Sequence, residues 1–212
     1  MKILHIDCSP RNASHSRKLS AALVARLTAS APDSQVIRRD LGMAPIPHIG
    51  DDYATVLSSP KALTAAQSTL ATCLSEQLIE EIEAADVIVL GTPMNNFTVP
   101  SVLKAWIDHI LRVGRSIGVA PSGEKIGLLD DKPIYIGIAS GGVFTGARAK
   151  QPDFLTPYLI AAFACVGLRS LSFFPLQATA FLGDDDIAAA QDVLVASMDL
   201  STAPAVATAA IR

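Results

Sequence analysis

Val87-Ile88-Val89-Leu90 is an unbroken apolar run, entered through Asp86 and followed by the polar stretch Gly91 to Pro100. A strand that is apolar at every position has both faces covered, the condition of a parallel sheet with helices on either side. Beyond Pro100 the apolar residues recur at Val102, Leu103, Trp106, Ile107 and Ile110, which is helical spacing. The segment reads as buried strand, polar loop, helix. In an open α/β sheet, loops at the carboxyl ends of strands form the ligand crevice.

The same unit recurs along the chain. Ile3-Leu4-His5-Ile6 reads as a first strand, closed by Asp7-Cys8-Ser9-Pro10, and Leu19, Leu23, Val24 and Leu27 mark the helix after it. Val36-Ile37 opens a short second strand ending at Arg39-Asp40-Leu41, and a long Pro/Gly-containing stretch from Gly42 to Pro60 follows. Such a stretch could be disordered, but loops of that length in compact domains are often functional or cover an interface. Leu74, Leu78, Ile79 and Ile82 mark the helix that delivers the chain to Val87. Ile134 to Ile138 supplies a fourth strand and Leu171 to Phe174 a fifth, with a helical stripe of Leu155, Leu159, Phe163 and Val166 between them. A last helix is expected from about Asp184 to Leu200, its acidic first turn complementing the helix dipole. Alternating strands and helices place the chain in the α/β class. The expected architecture is a doubly wound five-stranded parallel sheet of order 2-1-3-4-5 with helices on both faces. No internal repeat or linker interrupts it, so residues 1–212 are expected to form one domain, frayed after about residue 203.

Composition narrows the function classes. Half of the residues are hydrophobic and 17% are charged, which favours a large covered core. The formal charge of −3 offers no basic field to nucleic acid. His5, His15, His48 and His109 are scattered, and Cys8, Cys73 and Cys165 lie too far apart for a zinc pattern, so no metal site is expected. Asp7 interrupts the amino-terminal apolar run, unlike a signal peptide. The longest uncharged candidate for a membrane span, Leu155 to Leu168, contains Pro157 and falls short of the roughly 20 residues a bilayer needs. The expectation is a cytoplasmic protein with no membrane or nucleic-acid partner.

Three strand-end loops carry the chemistry. Ser9 to Ser16, between the first strand and its helix, gathers hydroxyls and free amides at a helix amino terminus, an arrangement suited to an anion. A plain polar connection with Ser14 or Ser16 as N-cap is the alternative. The loop lacks both G-x-G-x-x-G and G-x-x-x-x-G-K-[ST]. Met94, Asn95, Asn96 and Phe97 offer amides and one aromatic face, suited to a flat heteroaromatic ligand; as isolated residues Met94 and Phe97 could equally be core, with Thr98 an N-cap before Pro100 in the first turn of the next helix. Ala139-Ser140-Gly141-Gly142 ends the fourth strand, where paired glycines permit positive φ and close backbone approach, or simply a turn.

The Pro93-Met94-Asn95-Asn96-Phe97 arrangement after a third strand resembles the flavin-contacting loop of the FMN-dependent NADH-azoreductase family, within the flavodoxin-like quinone reductases. Ser9 with the Ser14-His15-Ser16 run matches the family's FMN-phosphate loop. The segment Asp153 to Leu159, with Val166-Gly167, also resembles family sequence. The resemblance covers most of the chain and is weakest around residues 42 to 70. It implies a flavodoxin-like fold with bound FMN and NADH or NADPH as donor. Ser9, Ser14, His15 and Ser16 would hold the phosphate; Met94 to Phe97 and Ala139 to Gly142 would frame the ring. It further implies two-electron ping-pong reduction of a quinone or azo compound through flavin N5, and a homodimer whose partner completes each pocket. Two positions depart from the family: Asn95 stands where an aromatic is common, and Ser140 where an Arg or Gly often precedes the glycine pair.

Other side chains suggest chemistry that their neighbours do not support. Cys8 would need Arg at position 14 for a C-x5-R phosphatase loop, and Ser14 stands there, so a buried structural thiol is expected. His109 is expected to pack at the core margin, and no Ser-His-Asp set can be built. A flavodoxin-like electron carrier or flavin-binding module without its own NADH activity is the alternative from another class, and a colourless phosphate-ester hydrolase is a third.

Overall fold

The computed structural model describes residues 1–58 and 70–201. The expected frayed tail after about residue 203 and the last residues of the Gly42 to Pro60 stretch lie outside these. Five parallel strands, β1 (Lys2–Asp7), β2 (Gln35–Asp40), β3 (Val87–Pro93), β6 (Ile134–Ala139) and β7 (Leu171–Leu176), form one sheet in the order β2-β1-β3-β6-β7. A separate antiparallel hairpin, β4 (Ile117–Val119) and β5 (Lys125–Gly127), lies between β3 and β6 in sequence. Set apart from that hairpin, the order is the one expected from the sequence.

Side-chain alternation divides the core in two. Leu4, Ile6, Ile88, Leu90, Ile134, Ile136 and Ile138 point to one face. There they pack against α3 (Cys73–Ala84), α4 (Ser101–Ile110) and α5 (Thr156–Val166) through Leu78, Ile82, Trp106, Ile107 and Phe163. Ile3, Val87, Val89 and Tyr135 point to the other, against α1 (His15–Ser30) and α6 (Asp184–Ala196) through Leu19, Leu23, Leu27 and Ile187. This double coverage is why the third strand opens with four apolar residues in a row, Val87 to Leu90. Two glycines let α1 lie close: a Cβ on Gly137 would meet Leu19 at 3.0 Å, and one on Gly91 would meet Ser20 Oγ at 2.5 Å.

Two regions differ from the sequence reading. The stretch after Gly42 contains the short helix α2 (Asp51–Ser58), seated by the buried Tyr53. The Tyr53 ring stands edge-on to His109 with centroids 5.2 Å apart, and the His109 ring nitrogen Nε2 lies 3.1 Å from the Pro47 carbonyl. His109 is therefore buried under this segment, beneath the core margin where it was expected. The last helix ends at Ala196, short of Leu200. Met198 then turns back into the core, and the Tyr135 hydroxyl donates to the Asp199 carbonyl at 2.9 Å.

Candidate functional site

The carboxyl ends of β1, β3, β6 and β7 open onto one cleft of about 490 Å³. The β1 loop contributes Ser9, Pro10 and Arg11, and the start of α1 contributes Ser14, His15 and Ser16. Pro93, Met94 and Asn95 come from the end of β3, Ala139 and Gly141 from the end of β6, and Thr179 and Ala180 from the loop after β7.

The first loop is an amide-rich helix start. Ser14 is the N-cap of α1 in extended backbone geometry; its Oγ accepts the Arg17 N–H at 3.3 Å and lies 3.3 Å from Ser16 Oγ. Capping and lining the cleft are therefore both true of Ser14. Capping occupies the Arg17 amide, while those of His15 and Ser16 have no acceptor among the described residues. These two amides and the dipole of a 16-residue helix favour negative charge at this end of the cleft.

The second and third loops differ in detail from the sequence reading. Asn96 and Phe97 do not line the cleft; they are the central residues of a tight turn, with φ of 48° and 70°, closed by reciprocal hydrogen bonds between Asn95 and Thr98. Both angles are positive, the geometry of a type I′ turn, in which glycine is the ordinary occupant. Phe97 is held there half-exposed, and its carbonyl accepts the Phe154 N–H at 3.0 Å. The Met94 and Asn95 amides are taken by the Ala139 and Thr98 carbonyls, so this loop presents fewer free N–H groups than its sequence implies. Thr98 does not cap α4; Pro100 holds the N-cap position.

Ser140 and Gly142 also lie behind the cleft surface. Gln151 Nε2 donates to Ser140 Oγ at 3.1 Å and to Met94 Sδ at 3.2 Å, tying the β3 and β6 loops together. Gly142 has no positive φ, and a Cβ there would fall 2.6 Å from Oε1 of the Gln151 side chain that ties the two loops.

Sequence reasoning missed the loop after β7 and Gln151. Thr179 Oγ1 donates to the Ser140 carbonyl at 3.1 Å, and the Ala180 N–H donates to the Gly141 carbonyl at 3.3 Å. Ala178 holds φ 60°, a left-handed angle that glycine adopts more cheaply. The strand-end rule that marked the other loops applies equally to the fifth strand, and the polar Gln177 and Thr179 are its signal.

Below the first loop lies a buried charge network. Burial would raise the Asp7 carboxyl, but His5, Arg38 and the Ser20 hydroxyl outweigh it and hold it down to about 2. Its folded value lies below the ordinary 3.8, so the stability it contributes is present above about pH 4 and disappears as pH falls toward 2. Asp7→Asn is expected to cost on the order of 2 kcal/mol at pH 7. Denaturant titrations at several pH values should show that gap closing below pH 4. A pH-independent gap would place the stabilisation elsewhere. The neighbouring Cys8 is fully buried, and burial together with Asp7 pushes its thiol well above the usual range, so a thiolate nucleophile is not available. Among the described residues, no helix is long and apolar enough to cross a membrane.

A family model described as flavodoxin-like fold matches residues 1–198. An FMN-dependent NADH:quinone oxidoreductase of Pseudomonas fluorescens is 41% identical over 199 residues, 93% of this chain and 94% of that protein. The chain belongs to this family of flavodoxin-like quinone reductases. A second family member, the FMN-dependent NADH:quinone oxidoreductase of Mesorhizobium japonicum, is 35% identical over 99% of this chain and 100% of its own length. The solved azoreductase of Bacillus anthracis str. Sterne shares the fold with a TM-score of 0.79 at 23% identity, covering 92% of this chain and 97% of its own. The first strand and helix of this quinone reductase scaffold, together with the ends of β3 and β6, supply most of the cleft.

Proposed function

We propose that this chain is an FMN-dependent NADH oxidoreductase whose acceptors are quinones and azo compounds, working as a cytoplasmic homodimer of single-domain subunits. The observation that carries the reading is one cleft with two chemically distinct ends. At one end, the free amides of His15 and Ser16 join the hydroxyls of Ser9, Ser14 and Ser16 at the start of α1, a fit for a phosphate. At the other, Pro93 to Asn95 and Ala139 to Gly141 provide a backbone-walled slot, a fit for a flat ring. The cleft volume lies in the ordinary range for small-molecule sites. The relatives' names supply the donor and the acceptor class.

When bound, FMN supplies two-electron transfer from NADH to the acceptor, and the protein's contribution is binding, orientation and electrostatics. Ser9, Ser14, His15 and Ser16 would hold the phosphate. Met94 and Asn95 would border one side of the ring, with Ala139 and Gly141 on the other. Asn96, Phe97, Ser140 and Gly142 act from behind by fixing those loops. Phe97, half-exposed, and Phe154, more exposed still, are joined by a backbone hydrogen bond and support an interface next to the cleft. The purified protein should be yellow and should bleach on anaerobic addition of NADH alone. A yellow protein that bleaches only with a separate reductase would instead be an electron carrier.

A further inference from the structure

Three segments of chain meet at one buried guanidinium. Arg17, in the first turn of α1, donates from Nε and Nη2 to the Ser9 carbonyl at 2.9 and 2.6 Å. It also donates from Nη1 and Nη2 to Asp40 at 2.8 and 2.5 Å, and its Nη1 lies 3.5 Å from Asp7. Asp40, at the end of β2, in turn accepts the Met43 N–H at 3.0 Å. The turn after it passes so close that a Cβ on Gly42 would stand 2.0 Å from the Ser9 carbonyl oxygen and 3.0 Å from Arg17 Nη2.

The charge of Arg17 is matched by two carboxylates, and its side chain is buried, so it is not the counter-charge for an anion in the cleft. Its effect falls on the peptide between Ser9 and Pro10. Proline has no N–H, so this peptide can present an anion only with a repulsive carbonyl and never with a donor. Arg17 turns that carbonyl into the protein and leaves the Ser9 side chain on the cleft wall.

We propose that Arg17 is the positioning residue of the phosphate end of the cleft, acting through the Ser9 carbonyl with Asp40 and Gly42 as its supports. This rests on the reading that FMN phosphate occupies that end. A lysine at 17 keeps the charge but loses the two-pronged grip.

The test titrates flavin-free full-length protein with FMN and with riboflavin, which lacks the phosphate. Wild type should prefer FMN strongly. Arg17→Lys should weaken FMN binding roughly tenfold or more, because the freed Ser9 carbonyl can turn toward the phosphate and displace the Ser9 hydroxyl from the wall, with riboflavin affinity changing less than twofold. Gly42→Ala, which displaces the same carbonyl while keeping the guanidinium, should lower the FMN-to-riboflavin ratio in the same direction and carries the test if Arg17→Lys does not fold. Equal loss for both flavins would show a merely structural role and overturn the proposal, as would unchanged FMN affinity in both variants. Wild type binding both flavins equally would remove phosphate from this loop, and with it the role of Arg17, while leaving the ring site standing. Wild type binding neither flavin would overturn the FMN reading itself.

Discussion

Gly91→Ala should lower unfolding stability by about 2–3 kcal/mol and the thermal midpoint by roughly 5–10 °C. The added methyl would stand 2.5 Å from Ser20 Oγ, 2.7 Å from Ser20 Cβ and 2.9 Å from the Ser16 carbonyl. A hydroxyl can rotate away, but the Cβ and the backbone carbonyl move only with α1. Ser16 lies both on that helix and on the cleft, so flavin retention should fall together with stability. Gly127→Ala is the informative contrast. Its methyl would meet the backbone nitrogen of Gly167 at 2.0 Å, a packing clash on the hairpin and α5, away from the cleft residues. It should destabilise at least as much while the flavin content of the folded fraction stays full. Thermal melts with a flavin-to-protein absorbance ratio on both variants decide this. Equal flavin loss in the two would show that Gly91 acts only through global stability.

The second large effect is expected from the helix start. Replacing both Ser14 and Ser16 with Ala should raise the FMN dissociation constant about a hundredfold, since each hydroxyl bond to a charged phosphate contributes about 1.5 kcal/mol or more. Ser14 also caps α1, and Ala there costs about 1 kcal/mol of stability by itself, whereas Gly costs only a few tenths. Ser14→Gly with Ser16→Ala therefore isolates ligand contact from helix capping. Equilibrium dialysis or fluorescence titration reads the affinity, and a denaturant midpoint reads the cap. Unchanged FMN affinity in the Gly/Ala variant would remove these hydroxyls from the site.

The sheet was legible because burial on two faces leaves a mark in each strand. Residues of even number in β3 face α3 to α5, those of odd number face α1, and only an apolar run satisfies both. The hairpin was not legible. Ile117–Val119 and Lys125–Gly127 are each three residues long, too short to show a period, and tertiary packing of Gly127 against α5 holds them. Nor was α2, whose seat depends on the contact between Tyr53 and a histidine 56 positions away. In the cleft, the loops after β1, β3 and β6 followed from where strands end. Arg17 read as one polar residue on a helix, because nothing local shows that its partners are a carbonyl eight residues back and a carboxylate 23 residues ahead. Asn96, Phe97, Ser140 and Gly142 are expected from the sequence to frame the ring, and the structure sets them behind the cleft lining, a placement visible only through backbone angles and Gln151.

The left-handed angle at Phe97 has a consequence for how this protein can change over time. A bulky residue there costs on the order of 1 kcal/mol relative to glycine. Mutational drift toward a sturdier molecule thus has an easy route at this position, and that route removes the aromatic side chain. Robustness and display of the ring are opposed at a single torsion, so lineages that keep phenylalanine give up some durability to retain it.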